Sequence, residues 1–187
     1  MIVIVTATFS EAKALVEYFG LVQTQKKPFS IYKNDKILLI ISGIGKVNSA
    51  IATTYAFSTY KNIDNIINFG ICGSSDKEKE IGSFWNIKSV IDKDSDKKFI
   101  LKKEGEILWC HSKAIIFPLS KKVLVDMESS GFLQAAKTFI NTKNISIYKI
   151  VSDHLDIKEK LNENILKDIV KNSIFKMIYI INEKIGL

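Results

Sequence analysis

The residues best suited to chemistry in this chain are acids that follow short apolar runs. Glu11 closes the stretch Thr6-Ala7-Thr8-Phe9-Ser10-Glu11, which follows the β-branched run Met1–Ala7. Asp126 and Glu128 lie in Asp126-Met127-Glu128-Ser129 at the end of Val123–Met127, and Asp153 follows Ile145–Val151 beside Ser152. Carboxyl groups serve as general acids and bases, and acids held in different surroundings can take opposite roles. Each also has a plain structural use, because a carboxylate in the first turn of a helix is favoured by the helix dipole and an acid before a helix can cap it. Two glycine-bearing stretches accompany them, Ser42-Gly43-Ile44-Gly45-Lys46 and Asn68-Phe69-Gly70-Ile71-Cys72-Gly73-Ser74. Glycine lets a backbone approach a ligand closely, and a helix start offers free N–H groups. The spacing to Lys46 is not that of a P-loop, and a tight turn accounts for either stretch equally well.

These residues need a scaffold that brings strand ends together. Ser10 is the expected N-cap of a helix over Glu11–Phe19, with Ala12, Leu15, Val16 and Phe19 on one face and Gly20 as its stop. Phe29–Lys33 and Lys36–Ser42 read as strands around an Asn34-Asp35 turn. Val47–Tyr60 is helical, with Ala50, Ala52 and Ala56 permitting close packing. Asn65–Gly70 is a strand, Ser83–Asp92 is extended, and Phe99–Leu101, Ile107–Phe117 and Val123–Met127 are strands. Glu128–Phe139 is helical, Ile145–Val151 is a strand, and Ile157–Ile185 is a long helix with a break near Asn172-Ser173. Asp92–Glu106 is charged and irregular, a surface loop or edge hairpin. Strands that are apolar throughout, alternating with helices, mark an α/β protein whose central mixed, largely parallel sheet is flanked by helices. In such sheets ligands bind beyond the carboxyl ends of the strands, so the acids and glycines at those ends are candidates for lining one pocket.

The 187 residues, 47 % of them apolar, suit a single domain spanning 1–187. The net charge is +7, yet every basic residue is lysine. The lysines are scattered among Asp and Glu, and the guanidinium fork used to read phosphate or guanine is absent, so a solvated surface is expected and no nucleic-acid partner. Cys72 and Cys110 form no CxxC and lack paired histidines, which argues against a metal site and for buried free thiols in a reduced, cytoplasmic protein. No apolar run reaches membrane-spanning length and the N-terminus lacks a signal-peptide pattern, so no membrane association is expected.

Together Ser42–Val47 (SGIGKV), Asn68–Gly73 with Gly82 (NFGICG…IG), Val125–Ser129 (VDMES) and Val151–Asp153 (VSD) resemble the purine nucleoside phosphorylase and nucleosidase superfamily. They are most similar to the methylthioadenosine/S-adenosylhomocysteine nucleosidases, here with a shortened middle around Asp92–Ile107. The resemblance implies a nucleoside phosphorylase-like fold and cleavage of the bond between a purine and ribose. By resemblance, Asp153 protonates the departing purine with Ser152 alongside, Glu11 activates water, and Glu128 binds the ribose with Met127 packed on the sugar. Ile71, Cys72 and Gly73 line the substrate. Lys149 stands where that family carries an arginine, and Ile107–Phe117 supplies part of a purine-stacking wall. No cofactor or metal is implied, a homodimer is expected, and the ligand is a small purine nucleoside. Phosphorolysis within the same fold, or nucleoside binding without catalysis, are the alternatives. The absence of arginine, the usual phosphate clamp, favours water as nucleophile.

Overall fold

The computed structural model describes residues 1–117, 119–156 and 162–186. In chain order, β1 (Ile2–Thr6) leads through α1 (Phe9–Tyr18) into a meander of β2 (Val22–Gln25), β3 (Ser30–Lys33) and β4 (Ile37–Ile41). Helix α2 (Lys46–Thr59) precedes β5 (Asn65–Ser74), β6 (Phe84–Asp92), β7 (Lys97–Ile100), β8 (Glu106–Cys110) and β9 (Leu124–Asp126). Then come α3 (Ser129–Phe139), a 3-10 turn at Thr142–Asn144, β10 (Ile145–Asp153), α4 (Glu163–Ser173) and α5 (Phe175–Ile185).

The expected mixed sheet flanked by helices is present. Parallel pairings join β4 to β1, β1 to β5 and β5 to β10. Alternate residues of β1 face opposite layers. Ile2 and Ile4 pack with Ala12, Leu15, Met177 and Ile181, whereas Val3 and Val5 pack with Ala52, Ala56, Phe132 and Leu133. Burial on both faces is why this strand is apolar at every position but its last. Strand β5 is the hinge of the topology. Its first residues pair with β1 and its last, Gly73 and Ser74, pair antiparallel with β9, while β10 runs along it from Ile145 to Asp153. Pairings of β10 with β6, β6 with β8 and β8 with β9 then close β5, β10, β6, β8 and β9 into a ring.

Several local expectations are corrected. The N-cap of α1 is Thr8, not Ser10: Thr8 is extended (φ −132°, ψ 159°) and forms a reciprocal capping box with Glu11. Ser10 lies inside the helix and is buried. Strand β8 stops at Cys110 instead of running to Phe117, because Cys110 is paired with the last residues of both its neighbours, Asp92 and Asp126. Strand β5 runs past Gly70 to Ser74, since β10 and β9 continue to offer partners there. Strand β2 is polar, lies at the sheet edge and carries no apolar signal. Glu128 is the N-cap of α3, not part of its body. The expected edge hairpin exists as β6–β7. The C-terminal helix breaks at Ile174, between α4 and α5. The part of that helix expected over 157–161 lies outside the described residues.

Helices α2 and α3 cross at a glycine. A Cβ on Gly131 would lie 1.8 Å from the Lys46 carbonyl oxygen, so no side chain fits without moving α2. Gly131→Ala should lower the unfolding free energy by about 3 kcal/mol, read by denaturant titration; an unchanged midpoint would mean the two helices separate freely.

Candidate active site

Strand β5 shares one edge between β1 and β9, and the edge from Phe69 to Cys72 between them has neither as partner. A cavity of about 260 Å³ opens at this divergence, beyond the carboxyl ends of β1, β5, β9 and β10. Glu11, Ile71, Cys72, Gly73, Met127, Glu128, Ser152 and Asp153 all line it. The segments expected to meet around one pocket therefore do so.

Glu11 is held at both oxygens. Its Oε2 accepts from the Thr8 backbone N–H at 2.7 Å and the Thr8 hydroxyl at 3.1 Å, and its Oε1 accepts from the Ile71 N–H at 3.0 Å. The Ile71 donor is available because that edge of β5 is open. A carboxylate oxygen has two lone pairs, so Oε1 keeps one free for a further donor. Gly70 is needed for this approach, since a Cβ there would stand 2.6 Å from Oε1.

Glu128 comes from the β9–α3 junction and is 7 % exposed. Its Oε1 accepts from the Gly45 N–H at 2.9 Å. The Ser-Gly-Ile-Gly stretch thus presents a backbone donor, as its glycines suggested, but to a side chain of the protein. Gly45 has φ +105°, a conformation that glycine adopts freely. Burial first, and the charge of Asp126 second, push the Glu128 carboxyl up to about 7; Lys149 and the Gly45 N–H pull the other way, and Glu11 adds to the rise.

Asp153 leaves β10 with its Oδ1 accepting from the Leu155 N–H at 2.8 Å and its Oδ2 2.6 Å from the Ser152 hydroxyl. That hydroxyl is also 3.1 Å from the Cys72 carbonyl oxygen. Ser152 has one proton to donate. It can give it to an ionised Asp153, or turn it to Cys72 and accept from a protonated Asp153, so either state of the acid is accommodated. Gly73 leaves room here, as a Cβ would collide with the Leu155 side chain at 2.3 Å. Burial pushes the Cys72 thiol well above its ordinary range, so it lines the cavity as an apolar group.

Asp126, a strand-end acid and candidate helix cap, and Lys149, which stands where the resembled family carries an arginine, were assigned no role by the sequence. Asp126 does cap α3, accepting from the Ser129 N–H at 3.0 Å and the Ser129 hydroxyl at 2.7 Å. It also forms a 2.9 Å ion pair with Lys149, which is 1 % exposed. Burial opposes the charge on Lys149, but Asp126 and then Glu128 outweigh it and raise the ammonium above its usual range. The rest of the lining is largely apolar, including Ile44, Ile115, Leu155 and Leu166, and among the described lining residues Lys113 is the one cation. The Ile107–Phe117 segment does reach the cavity through Lys113, Ala114 and Ile115, as an irregular wall instead of a strand. Among the described residues no group of His, Cys, Asp and Glu could hold a metal ion, and no helix is long and apolar enough to cross a membrane.

Fold and cavity define an α/β protein that gathers carboxylates around a small-molecule cleft at its strand ends. The chain belongs to the phosphorylase superfamily, whose family model matches residues 1–122. Among solved structures it is similar to a 5′-methylthioadenosine/S-adenosylhomocysteine nucleosidase from Neisseria meningitidis in complex with methylthio-immucillin-A, at TM-score 0.80 and 20 % identity over 98 % of each chain. It is similar to the 5′-methylthioadenosine nucleosidase of Arabidopsis thaliana at TM-score 0.78 and 20 % identity, covering 97 % of this chain and 95 % of that one. It also resembles a futalosine hydrolase of Helicobacter pylori at TM-score 0.78 and 16 % identity, over 98 % and 97 % of the two chains. No curated protein matches it by sequence.

The raised carboxyl of Glu128 has a stability consequence with a definite sign. Its folded value, about 7, lies above the ordinary 4.5, so the folded state holds this proton more tightly than the unfolded chain. That contribution is fully present below about 4.5 and is lost progressively as pH rises from there to about 7. Glu128→Gln should therefore melt roughly 5 °C above the wild type at pH 8, with the gap closing by about pH 5. A gap that stays constant with pH would show that Glu128 is not the group titrating.

Proposed function

We propose that this protein is a purine nucleosidase that hydrolyses the N-glycosidic bond of an adenine nucleoside of the methylthioadenosine or S-adenosylhomocysteine kind. The observation that carries this is the convergence of Glu11, Glu128 and Asp153 on one largely apolar cavity. In the reaction the C1′–N9 bond breaks, its electron pair leaves with the purine, and a water oxygen bonds to C1′. The ribose passes through an oxocarbenium-like state. Asp153 gives its proton to N7 of the departing base, and the Ser152 hydroxyl accommodates the carboxyl before and after transfer. Glu11, with its orientation set by Thr8 and Ile71, takes the proton of the attacking water on the open lone pair of Oε1. Glu128 accepts from the ribose hydroxyls and favours the developing positive charge, and Met127 packs on the sugar. Ile71, Cys72 and Gly73 contribute apolar and backbone surface to the ligand. No cofactor takes part.

Water is favoured over phosphate as the nucleophile by the charges around the cavity. A phosphate needs clustered cations; Lys149 is committed to Asp126, the chain has no arginine, and Lys113 lies on the exposed wall. The neighbours named above as nucleosidases support the same choice. The protein acts as a single domain over 1–187, as a homodimer, in the cytoplasm.

Release of adenine from methylthioadenosine and adenosylhomocysteine, and of hypoxanthine from inosine, each with and without phosphate, tests this. Release from the first two without phosphate is expected. Dependence on phosphate would make the protein a phosphorylase, and binding without release would make it a nucleoside-binding homologue. Asp153→Asn and Glu11→Gln should each lower kcat by about 10²–10⁴-fold with the fold intact by circular dichroism. Full activity in either variant removes that residue from the mechanism.

A further inference from the structure

A second set of charged side chains lies immediately behind Glu128, and none of its members lines the cavity. Lys46 is the first residue of α2, next to the Gly45 whose N–H meets Glu128. Its ammonium donates to both oxygens of Asp92, at 3.1 and 2.9 Å, and also pairs with Asp94. Asp92 is buried at the end of β6 and is closely bound from several sides. It accepts from the Ser130 hydroxyl at 2.6 Å and from the backbone N–H groups of Asp94 and Ser95 at 3.1 Å. Burial alone would raise its carboxyl, but these donors and Lys46 outweigh that and hold it down at about 2, so it is ionised at any ordinary pH. Ser130 is two residues after Glu128, and the following Gly131 lies against the Lys46 carbonyl oxygen. The start of α2 is therefore clamped to the start of α3 by main chain on one side and by the Lys46–Asp92–Ser130 chain on the other.

A glycine flanked by glycine-rich turn has no side chain of its own to hold it. The peptide unit that carries the Gly45 N–H is held at its Ile44 carbonyl oxygen by the Asn48 side chain at 2.8 Å, and on its far side it is joined to Lys46, so both Asn48 and whatever fixes Lys46 set the direction of that N–H. We propose that Lys46 and Asp92 are positioning residues for the reaction, holding the Gly45 amide on Glu128 and so fixing how that carboxylate meets the ribose. This rests on the assignment of Glu128 to the sugar, and the tests below separate the two.

The two residues carry opposite charges, which distinguishes position from simple charge. Glu128 is faced by Asp126 from β9, Lys149 from β10, Glu11 from α1 and the Gly45 N–H from the start of α2. Loss of the Gly45 hydrogen bond removes a donor that favours ionised Glu128. If the clamp acts through position, Asp92→Asn and Lys46→Met both raise the pH at which Glu128 titrates, and both raise KM by about tenfold with a smaller change in kcat. If it acts only through long-range charge, removing the anion and removing the cation move the titration in opposite directions, and the proposal fails. The titration is followed by carbon NMR of the labelled Glu128 carboxyl, which reads out whether or not a nucleoside is cleaved. Ser130→Ala, which removes one donor and no charge, serves where Asp92→Asn does not fold; it should shift the titration upward by a smaller amount, and no shift overturns the clamp. Wild-type protein that cleaves no nucleoside, yet shows the concordant shifts, would defeat the functional assignment and leave the clamp standing.

Discussion

Lys149 and Asp126 meet at 2.9 Å with almost no access to water, and the cavity depends on that pair. Three further carboxyl groups, Glu11, Glu128 and Asp153, surround the same space. Of these, Glu128 has its ionised form disfavoured, by burial first and by the charge of Asp126 second. A buried ammonium at the centre of β10 offsets part of this charge, and it is itself tolerated only because Asp126 compensates its desolvation. Asp126 in turn caps α3, so one carboxylate neutralises the lysine and fixes the helix whose N-cap is Glu128. Removing either partner would leave a charge buried without a counterpart, and the acids around the cavity would lose their balance.

The cleft itself comes from strand geometry. Strand β5 is longer than β1, and β9 takes up the same edge only at Gly73 and Ser74. Between them the unpaired backbone must find other partners, because a buried N–H left alone is unfavourable. Glu11 supplies one by reaching Ile71. The same contact satisfies the strand and orients the acid, so the opening in the sheet and the placement of the proposed base are one feature. The glycines at 70 and 73 are required here for space: side chains at these positions would occupy the room taken by Glu11 and Leu155.

Much of this was legible in the residues. Apolar strands alternating with helices, and acids placed just after those strands, define the sheet and the end of it where a ligand would lie, because strand and helix periodicity are local properties. The Thr8-x-x-Glu11 spacing is itself a capping-box signature and marks Thr8, not Ser10, as the N-cap. The end of β8 was not legible, since Ile107–Phe117 is apolar enough to continue. What stops it is the length of its neighbours, which no property of that segment encodes.

The sequence by itself determined the α/β class, the membership of Glu11, Glu128 and Asp153 in one strand-end cleft, and the family likeness, all of which follow from local pattern and order. Only the tertiary structure decided the partners of those acids. Gly45 and Glu128 are 83 residues apart and Ile71 and Glu11 are 60 apart, yet each pair shares a hydrogen bond. Such contacts, like the Lys149–Asp126 pair, depend on where β5, β9 and β10 come together, and that is set by the packing of the whole sheet, which no short stretch of sequence contains.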